Sequence, residues 1–264
     1  MFNVTGPIGV TDSGVGGLTV VRELQRLLPG EDIIYFGDSA NCPYGNKSAG
    51  EIFTLCGNML RYLENEGMKC AAIACNTTST LADRLRPCFD FPIISIVEAA
   101  ARYVIREKPD SVGLIATEFT VRSGKYAQLI HEELPDCRVI GKGSPRLAAL
   151  VDRGDFDRQD INAEIRAQVD SILAREKVDS LILGCTHYPI VEANFRECYP
   201  DMRLINPAYE QACAVKQCLA ENGALNPQKQ GRFTVCTSGE PRVYEDVIRR
   251  LGLREADEIR VVHI

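Results

Sequence analysis

The sequence predicts an α/β protein made of two pseudo-symmetric halves with mostly parallel sheets. Three observations predict it. Short apolar runs alternate with amphipathic stretches, short polar segments follow several of the apolar runs, and this arrangement recurs in a second half of the chain. Strand–helix–strand alternation is typical of parallel sheets covered on both faces. Ligands bind beyond the carboxyl ends of such strands, so the residues that follow each strand are the candidates for chemistry.

The first half shows two helical stripes between strand-length runs. Residues 18–28 have apolar side chains at helical spacing, and Pro29 with Gly30 ends that helix. A second stripe covers residues 52–63 and is closed by Gly67. The runs predicted as strands are residues 7–10, 32–36, 70–74 and 93–96.

The second half continues the alternation. Its break from the first half is expected between residues 97 and 108, and its end near residue 207. The C-terminal stretch has no counterpart in the repeat and could add to either half. The runs predicted as strands are residues 112–116, 138–140, 180–183 and 202–205, with a further strand at 232–236 in the C-terminal stretch.

The repeat is clearest in the residues that follow equivalent strands. Cys75 follows one strand and precedes Asn76-Thr77, and Cys185 follows another and precedes Thr186-His187. Asp12 and Thr117 follow a second matching pair of strands at nearly the same spacing. Two halves of similar plan therefore each end key strands in short polar loops.

Composition narrows the function class. The 264 residues are 45% hydrophobic and 25% charged, as in an ordinary globular protein, and the net charge of -6 argues against nucleic acid or an acidic membrane as the main partner. No secretory signal or membrane-spanning run is recognised, so a cytoplasmic location is expected. The 11 cysteines include no CxxC pair, which argues against a disulfide framework and against a zinc site.

The two equivalent cysteines predict acid/base chemistry on both faces of one carbon. Racemisation removes a proton from one face of an α-carbon and returns one to the other, which needs two opposed groups. Cys75 and Cys185 fit this need, because a thiol with a pKa near 8.5, lowered modestly at the start of a helix, can exchange roles near neutral pH.

Other polar residues surround these positions in the sequence. Asp12 opens the loop Ser13 to Gly17, which fits neither the dinucleotide pattern nor a P-loop; it can orient a thiol or a substrate ammonium group, or simply cap the helix. The segment Pro43-Tyr44-Gly45 can offer backbone amides to a carboxylate, although it is also a common turn. His187 lies two residues after Cys185, where a catalytic role is favoured. Thr117 can bind a carboxylate or cap the next helix.

These motifs resemble the glutamate racemase family within the aspartate/glutamate racemase superfamily. The resemblance covers residues 8–205 in order and spacing, and its most specific blocks are Ala74-Cys75-Asn76-Thr77 and Gly184-Cys185-Thr186-His187-Tyr188-Pro189. It is supported by the loop from Gly9 to Gly17, and by Tyr35-Phe36-Gly37-Asp38, Pro43-Tyr44-Gly45 and Ile115-Ala116-Thr117.

The resemblance implies an enzyme that interconverts L- and D-glutamate for peptidoglycan without PLP, any other cofactor or a metal ion. It implies two α/β domains, residues 1–97 plus 207–264 and residues 98–206, with the active site in the cleft between them. The expected partner is a small amino acid, and a homodimer is one option for the assembly. By the same resemblance, the acid/base thiols are Cys75 and Cys185, and the residues that assist them are Asp12 and His187. The amino and α-carboxylate groups of the substrate are held by Ser13, Asn76, Thr77 and Thr186. The side-chain carboxylate is surrounded by Pro43, Tyr44, Gly45 and Thr117.

The chain departs from the family pattern at four places. Ser144-Pro145 stands where Cys-Pro is usual, Asp152 where Glu is usual, and Asn206-Pro207 where an Asp-Ser pair is usual. Thr11 stands where an aliphatic or aromatic residue is more common. Asp152 keeps the charge with a shorter reach, so its support of His187 is weakened.

Three other readings stay open on the sequence alone. The first is a racemase of another amino acid such as aspartate, which the core motifs do not separate from glutamate. The second is a related decarboxylase or isomerase, which the presence of two thiols disfavours. The third is a redox-sensing or partner-binding protein with regulatory thiols, which predicts thiols close enough to form a disulfide and gives Asn76 and Thr186 no role.

Overall fold

The protein folds into two parallel sheets, each flanked by helices. A computed structural model describes residues 5–144, 146–152 without the side chain of Asp152, and 158–263. Strands pair only in parallel within these ranges. The strands are β1 (Ile8–Asp12), β2 (Ile33–Gly37), β3 (Cys70–Ile73), β4 (Ile93–Ser95), β5 (Ser111–Ala116), β6 (Arg138–Gly143), β7 (Ser180–Gly184), β8 (Arg203–Ile205), β9 (Phe233–Thr237) and β10 (Glu258–Val261).

Helices connect and cover these strands. Several begin with the residue types that satisfy free backbone amides, as where Ser48 and Glu51 form a reciprocal capping box at the start of the second helix. The helices are α1 (Leu18–Leu27), α2 (Ala49–Asn65), α3 (Asn76–Ser79), α4 (Ala82–Leu85), α5 (Ile96–Glu107), α6 (Glu118–Ser123), α7 (Lys125–His131), α8 (Leu147–Asp152), α9 (Arg158–Leu173), α10 (Glu192–Cys198), α11 (Pro207–Glu221) and α12 (Pro241–Leu251).

The sheet orders confirm the internal repeat. In the described residues the first sheet has the order β10-β9-β2-β1-β3-β4, and the second has the order β6-β5-β7-β8. The segment β2-β1-β3-β4 of the first sheet therefore matches the whole of the second, strand for strand. The α/β fold with two domains and parallel sheets is as the sequence predicts; we call the unit around the first sheet the first domain and the other the second domain.

The C-terminal stretch joins the first sheet, because β9 pairs with β2 and β10 pairs with β9. The strand β10 was not predicted from the sequence; it is half exposed at the edge of the sheet, and so lacks the continuous apolar run of a buried strand. The domain boundaries at 97/98 and 206/207 stay a prediction. At the second of these, Asn206 accepts a hydrogen bond from the Ala208 amide and Pro207 occupies the first turn, which starts α11 favourably.

The core consists of the inner faces of both sheets and the helices packed on them. Strand residues such as Ile8, Val10, Leu181 and Ile182 are fully buried. In the part of the chain that the structure describes, no helix is long and apolar enough to cross a membrane.

Candidate active site

The carboxyl ends of equivalent strands carry the predicted acid/base residues. Asp12 is the last residue of β1, and Cys75 lies two positions beyond the end of β3. In the second domain Thr117 directly follows β5, and Cys185 directly follows β7. Parallel pairing of β1 with β3, and of β5 with β7, aligns these ends side by side within each sheet.

Cys75 is a buried thiol near a hydroxyl group. Its side chain is 6% exposed, and its Sγ lies 3.6 Å from Oγ of Ser13. Burial, and then the charge of Asp12, raises the pKa of the Cys75 thiol above its ordinary value, while hydrogen bonds from Thr78 and Ser13 oppose the rise. The predicted modest lowering of this pKa is therefore wrong for Cys75.

The reason for this correction lies in the helix that follows Cys75. The prediction relied on a helix N-terminus to stabilise the thiolate. The structure gives α3 only the four residues from Asn76 to Ser79, which is one turn and supplies little dipole. Loss of water around the sulfur therefore outweighs the helix-end stabilisation.

Cys185 has an imidazole partner. Its Sγ lies 3.5 Å from Nδ1 of His187, and both side chains are buried. The glycine loop of the first domain packs directly on this segment: a Cβ added to Gly16 would lie 2.4 Å from Oγ1 of Thr186 and 3.0 Å from Cε1 of His187. Only glycine permits this close approach of the two domains.

Asp12 connects the two domains at the same place. One carboxylate oxygen accepts from the Gly14 amide at 2.9 Å, and the other accepts from the Thr186 hydroxyl at 3.2 Å. The carboxylate also acts electrostatically on Cys75. Asp12 therefore lies between the Cys75 side and the Cys185 side, where a substrate ammonium group would find a negative charge.

A cluster of threonine hydroxyls bridges the domains beside this point. Oγ1 of Thr77 in the first domain lies 3.0 Å from Oγ1 of Thr117 in the second, and Thr117 donates to Thr120 at 3.0 Å. A Cβ added to Gly45 would lie 3.6 Å from Cβ of Thr117, so the loop at residues 43–46 adjoins the cluster. Such hydroxyls and loop amides suit a carboxylate.

Tyr44 in that loop is fixed by a hydrogen bond to a buried carboxylate. Its hydroxyl donates to Oδ2 of Asp38 at 2.6 Å, and Asp38 also accepts from Asn41 and from Ser238 of the C-terminal stretch. Burial and the bond to Asp38 raise the pKa of the Tyr44 hydroxyl, which therefore stays protonated. Pro43 is exposed, and it directly precedes the short helix Tyr44–Asn46.

Asn76 is buried at the start of α3, and its amide oxygen and amide nitrogen differ in their hydrogen bonding. Its Oδ1 accepts from the Tyr126 hydroxyl of the second domain at 2.7 Å. Its Nδ2 is buried and has no hydrogen-bond partner among the described residues. Buried amide groups normally have a partner, so this nitrogen is an open donor inside the site.

Two departures from the family pattern can be placed. Ser144 is buried, donates to the carboxylate of Glu164 at 3.0 Å and accepts from the Leu147 amide, so it caps α8 where a thiol would not. Pro145 and the side chain of Asp152 lie outside the described residues, and the relation of Asp152 to His187 stays a prediction.

Three residues of the site were missed by the sequence reasoning. Asp38 directly follows β2, a strand-end position that should have marked it. Tyr126 and Ser238 lie far along the chain from the residues that they contact, and no local signal identifies them.

The arrangement presents two buried thiols, a carboxylate and many hydrogen-bond donors. All 11 cysteines, each within the described ranges, are free thiols. The same ranges contain no group of three or more His, Cys, Asp or Glu side chains that could hold a metal ion. The groups present can take and give protons and can bind carboxylate and ammonium groups.

Comparisons with known proteins identify the family of the chain. The model of the family described as Asp/Glu/Hydantoin racemase matches residues 8–218. The glutamate racemase of Desulforudis audaxviator is 38% identical over 231 residues, which is 86% of this chain and 84% of that protein. A glutamate racemase of Bacillus anthracis superimposes with a TM-score of 0.92 at 32% identity, covering 98% of each chain.

A second solved structure of a relative contains a bound ligand. The glutamate racemase of Francisella tularensis, solved in complex with D-glutamate, superimposes with a TM-score of 0.91 at 32% identity over 98% of both chains. The resemblance deduced from the sequence motifs is thereby confirmed, and the chain belongs to the Asp/Glu/Hydantoin racemase family, among its glutamate racemases.

Proposed function

We propose that this protein interconverts L- and D-glutamate, with Cys75 and Cys185 as the two acid/base groups. The observation that carries the proposal is the placement of two buried thiols at equivalent strand ends of two sheets that share a four-strand order. The domains meet at the Asp12–Thr186 hydrogen bond between the two thiol segments. A substrate held at this junction has one sulfur on each side.

The proton balance of the reaction follows from this placement. One cysteine, as thiolate, takes the proton from the α-carbon, and the electron pair of the broken C–H bond passes into the α-carboxylate. The other cysteine, as thiol, gives its proton to the opposite face of the carbon. In the reverse direction the two residues exchange roles, so the site ends each turnover with its thiol and thiolate interchanged.

The remaining residues take roles that match their chemistry. Asp12 offers a carboxylate to the ammonium group with Ser13 and Thr186 beside it, and His187 supports the Cys185 thiol at 3.5 Å. Asn76 and Thr77 hold the α-carboxylate, and Thr117 with the loop Pro43-Tyr44-Gly45 receives the side-chain carboxylate. The bound D-glutamate of the Francisella relative supports glutamate as the substrate. We place the reaction in the cytoplasm, as a source of D-glutamate for peptidoglycan.

The test is incubation with each enantiomer of glutamate and of aspartate in D₂O without added cofactor, followed by circular dichroism and NMR. We expect glutamate to lose its optical activity, and deuterium to enter the product enantiomer well before it enters recovered substrate. Equal early deuteration of both enantiomers indicates one base, which contradicts the two-thiol mechanism. Turnover of aspartate but not glutamate contradicts the substrate.

Cysteine variants test the assignment of the bases. We expect Cys75→Ser and Cys185→Ser each to lower racemisation by about 10²-fold or more, the size of a lost acid/base group. Cys137→Ser is a matched control, because Cys137 is 4% exposed in the second domain but does not adjoin the site. Racemisation at the unmodified rate in either site variant would falsify the mechanism.

A further inference from the structure

Tyr126 of the second domain contacts Asn76 in the site. This side chain lies on α7, is 1% exposed and belongs to the buried core. Its hydroxyl makes one hydrogen bond within the described residues, to Oδ1 of Asn76 at 2.7 Å. Burial, and then the charge of Cys185, raises the pKa of this hydroxyl, so it keeps its proton and acts as a donor.

The bond fixes which way the Asn76 amide faces. A protonated phenol in a buried position must give its proton to an acceptor, and the amide oxygen is the acceptor within reach. If the amide were turned around, its N–H would face the phenol oxygen and the phenol proton would lose its acceptor. The turned amide is therefore disfavoured, and the unpartnered Nδ2 stays on the other side.

We propose that Tyr126 is a positioning residue that holds the Asn76 amide with its nitrogen toward the substrate. Asn76 then donates to the substrate α-carboxylate and does not accept from the ammonium group. This inference rests on the proposed function. The α-carboxylate receives negative charge as the α-proton leaves, so a fixed donor there stabilises the transition state more than the bound substrate.

The first test is a double-mutant cycle of Tyr126→Phe and Asn76→Ala, with kcat and KM measured for both enantiomers. Tyr126→Phe keeps the ring and its packing. We expect it to lower kcat/KM by about tenfold, mostly in kcat, in line with one lost hydrogen bond to an ionic group. In the Asn76→Ala background the same change should have less than about a twofold effect, because Tyr126 acts through Asn76.

Additive effects of the two changes overturn the inference, because a merely structural tyrosine loses activity independently of Asn76. An effect of Asn76→Ala with none of Tyr126→Phe also overturns it. If Asn76→Ala has no effect on kcat/KM, the proposed roles of Asn76 and Tyr126 are both refuted, whereas the proposed racemisation of glutamate is not. Absence of glutamate racemisation by the unmodified protein refutes the proposed function instead.

Asn76→Asp provides a test that does not depend on the folding of Tyr126→Phe. The introduced carboxylate leaves Tyr126 an acceptor of similar shape but replaces the donor nitrogen with a second oxygen. Burial of the new carboxylate should lower the temperature of thermal unfolding. In the folded variant we expect a loss of kcat/KM at least as large as for Asn76→Ala. If the amide oxygen faced the substrate ammonium group, Asn76→Asp would keep or improve substrate binding, and that result refutes the proposed orientation.

Discussion

Gly16→Ala should separate the two sides of the site while leaving both thiols unchanged. The added Cβ would lie 2.4 Å from Oγ1 and 2.9 Å from Cβ of Thr186, and 3.0 Å from Cε1 of His187. Ordinary contacts of this kind begin near 3.4 Å. Relief of the overlap therefore needs a displacement of about 1 Å between the glycine loop and the Thr186 segment.

The magnitude follows from this displacement. The hydrogen bond from Thr186 to Asp12 is 3.2 Å long, and an increase of about 1 Å in this distance breaks it. Overpacking of this kind costs about 1–3 kcal/mol, which corresponds to a roughly 5- to 150-fold change in an equilibrium or rate. Misplacement of reacting groups by about 1 Å costs up to about 10²-fold. We expect kcat/KM for glutamate to fall by about 10- to 100-fold.

The assay is racemisation followed by circular dichroism from each enantiomer, with thermal unfolding of the same samples. Gly14→Ala is the matched control in the same loop, because its Cβ would meet Cys42 Sγ at 3.6 Å and Ser39 Oγ at 3.9 Å, which are ordinary contacts. We expect the control to keep its activity within about threefold, as a substitution without steric cost should. Equal activity of the Gly16→Ala and Gly14→Ala variants would refute the claim that the domains meet so closely at Gly16.

Two further predictions concern charge. In Asp12→Asn, loss of the carboxylate charge removes a cause that raises the pKa of Cys75, so the limb of kcat/KM that reports Cys75 as a base should move to lower pH; a limb that stays in place or moves to higher pH contradicts this. Lys69 and Glu31 form an ion pair in which both side chains are buried, and Lys69 also donates to the Ala224 carbonyl at 2.8 Å. Lys69→Met should lower the free energy of unfolding by about 3–5 kcal/mol in urea titrations, because it leaves the Glu31 carboxylate buried without its ion-pair partner. The Lys69→Met/Glu31→Gln double variant should recover part of this loss. A change under about 1 kcal/mol in the single variant shows that the pair is not stabilising.

Much of the fold could be predicted because the signals are local. Runs of three to five residues marked most of the strands, and the residues after them marked Asp12, Cys75, Thr117 and Cys185. The edge strand β10 was not predicted, because exposed edge positions do not require apolar residues. Periodicity thus predicts buried elements well and exposed ones poorly.

Only the site residues that follow strand ends or lie in recognisable motifs could be predicted from the sequence. The sequence brings Cys185 and His187 together, since they are neighbours in the chain. It does not reveal that Tyr126 contacts Asn76 or that Ser238 contacts Asp38, because those pairs depend on how α7 and the C-terminal stretch pack. The pKa of Cys75 was predicted in the wrong direction for a related reason. Burial is a tertiary property, and it outweighs the helix start that the sequence suggested, which the structure shows to be a single turn.

The closed state of the site gives a physical reason for the use of two thiols. Cys75 and Cys185 are each 6% exposed, so bulk water has little access to either sulfur. A proton taken by one buried thiolate therefore stays in the site during a turnover, and the proton for the opposite face must come from the other thiol.

We infer that the contacts that bury both thiols open when substrate enters, because each cysteine is only 6% exposed. Hydrogen bonds between the domains hold this closed form, and each contributes about 0.5–1.5 kcal/mol net. The burial that raises the pKa of Cys75 and keeps solvent protons out is thus balanced against entry of the substrate, and the bonds that contribute to this balance include Asp12–Thr186, Thr77–Thr117 and Asn76–Tyr126.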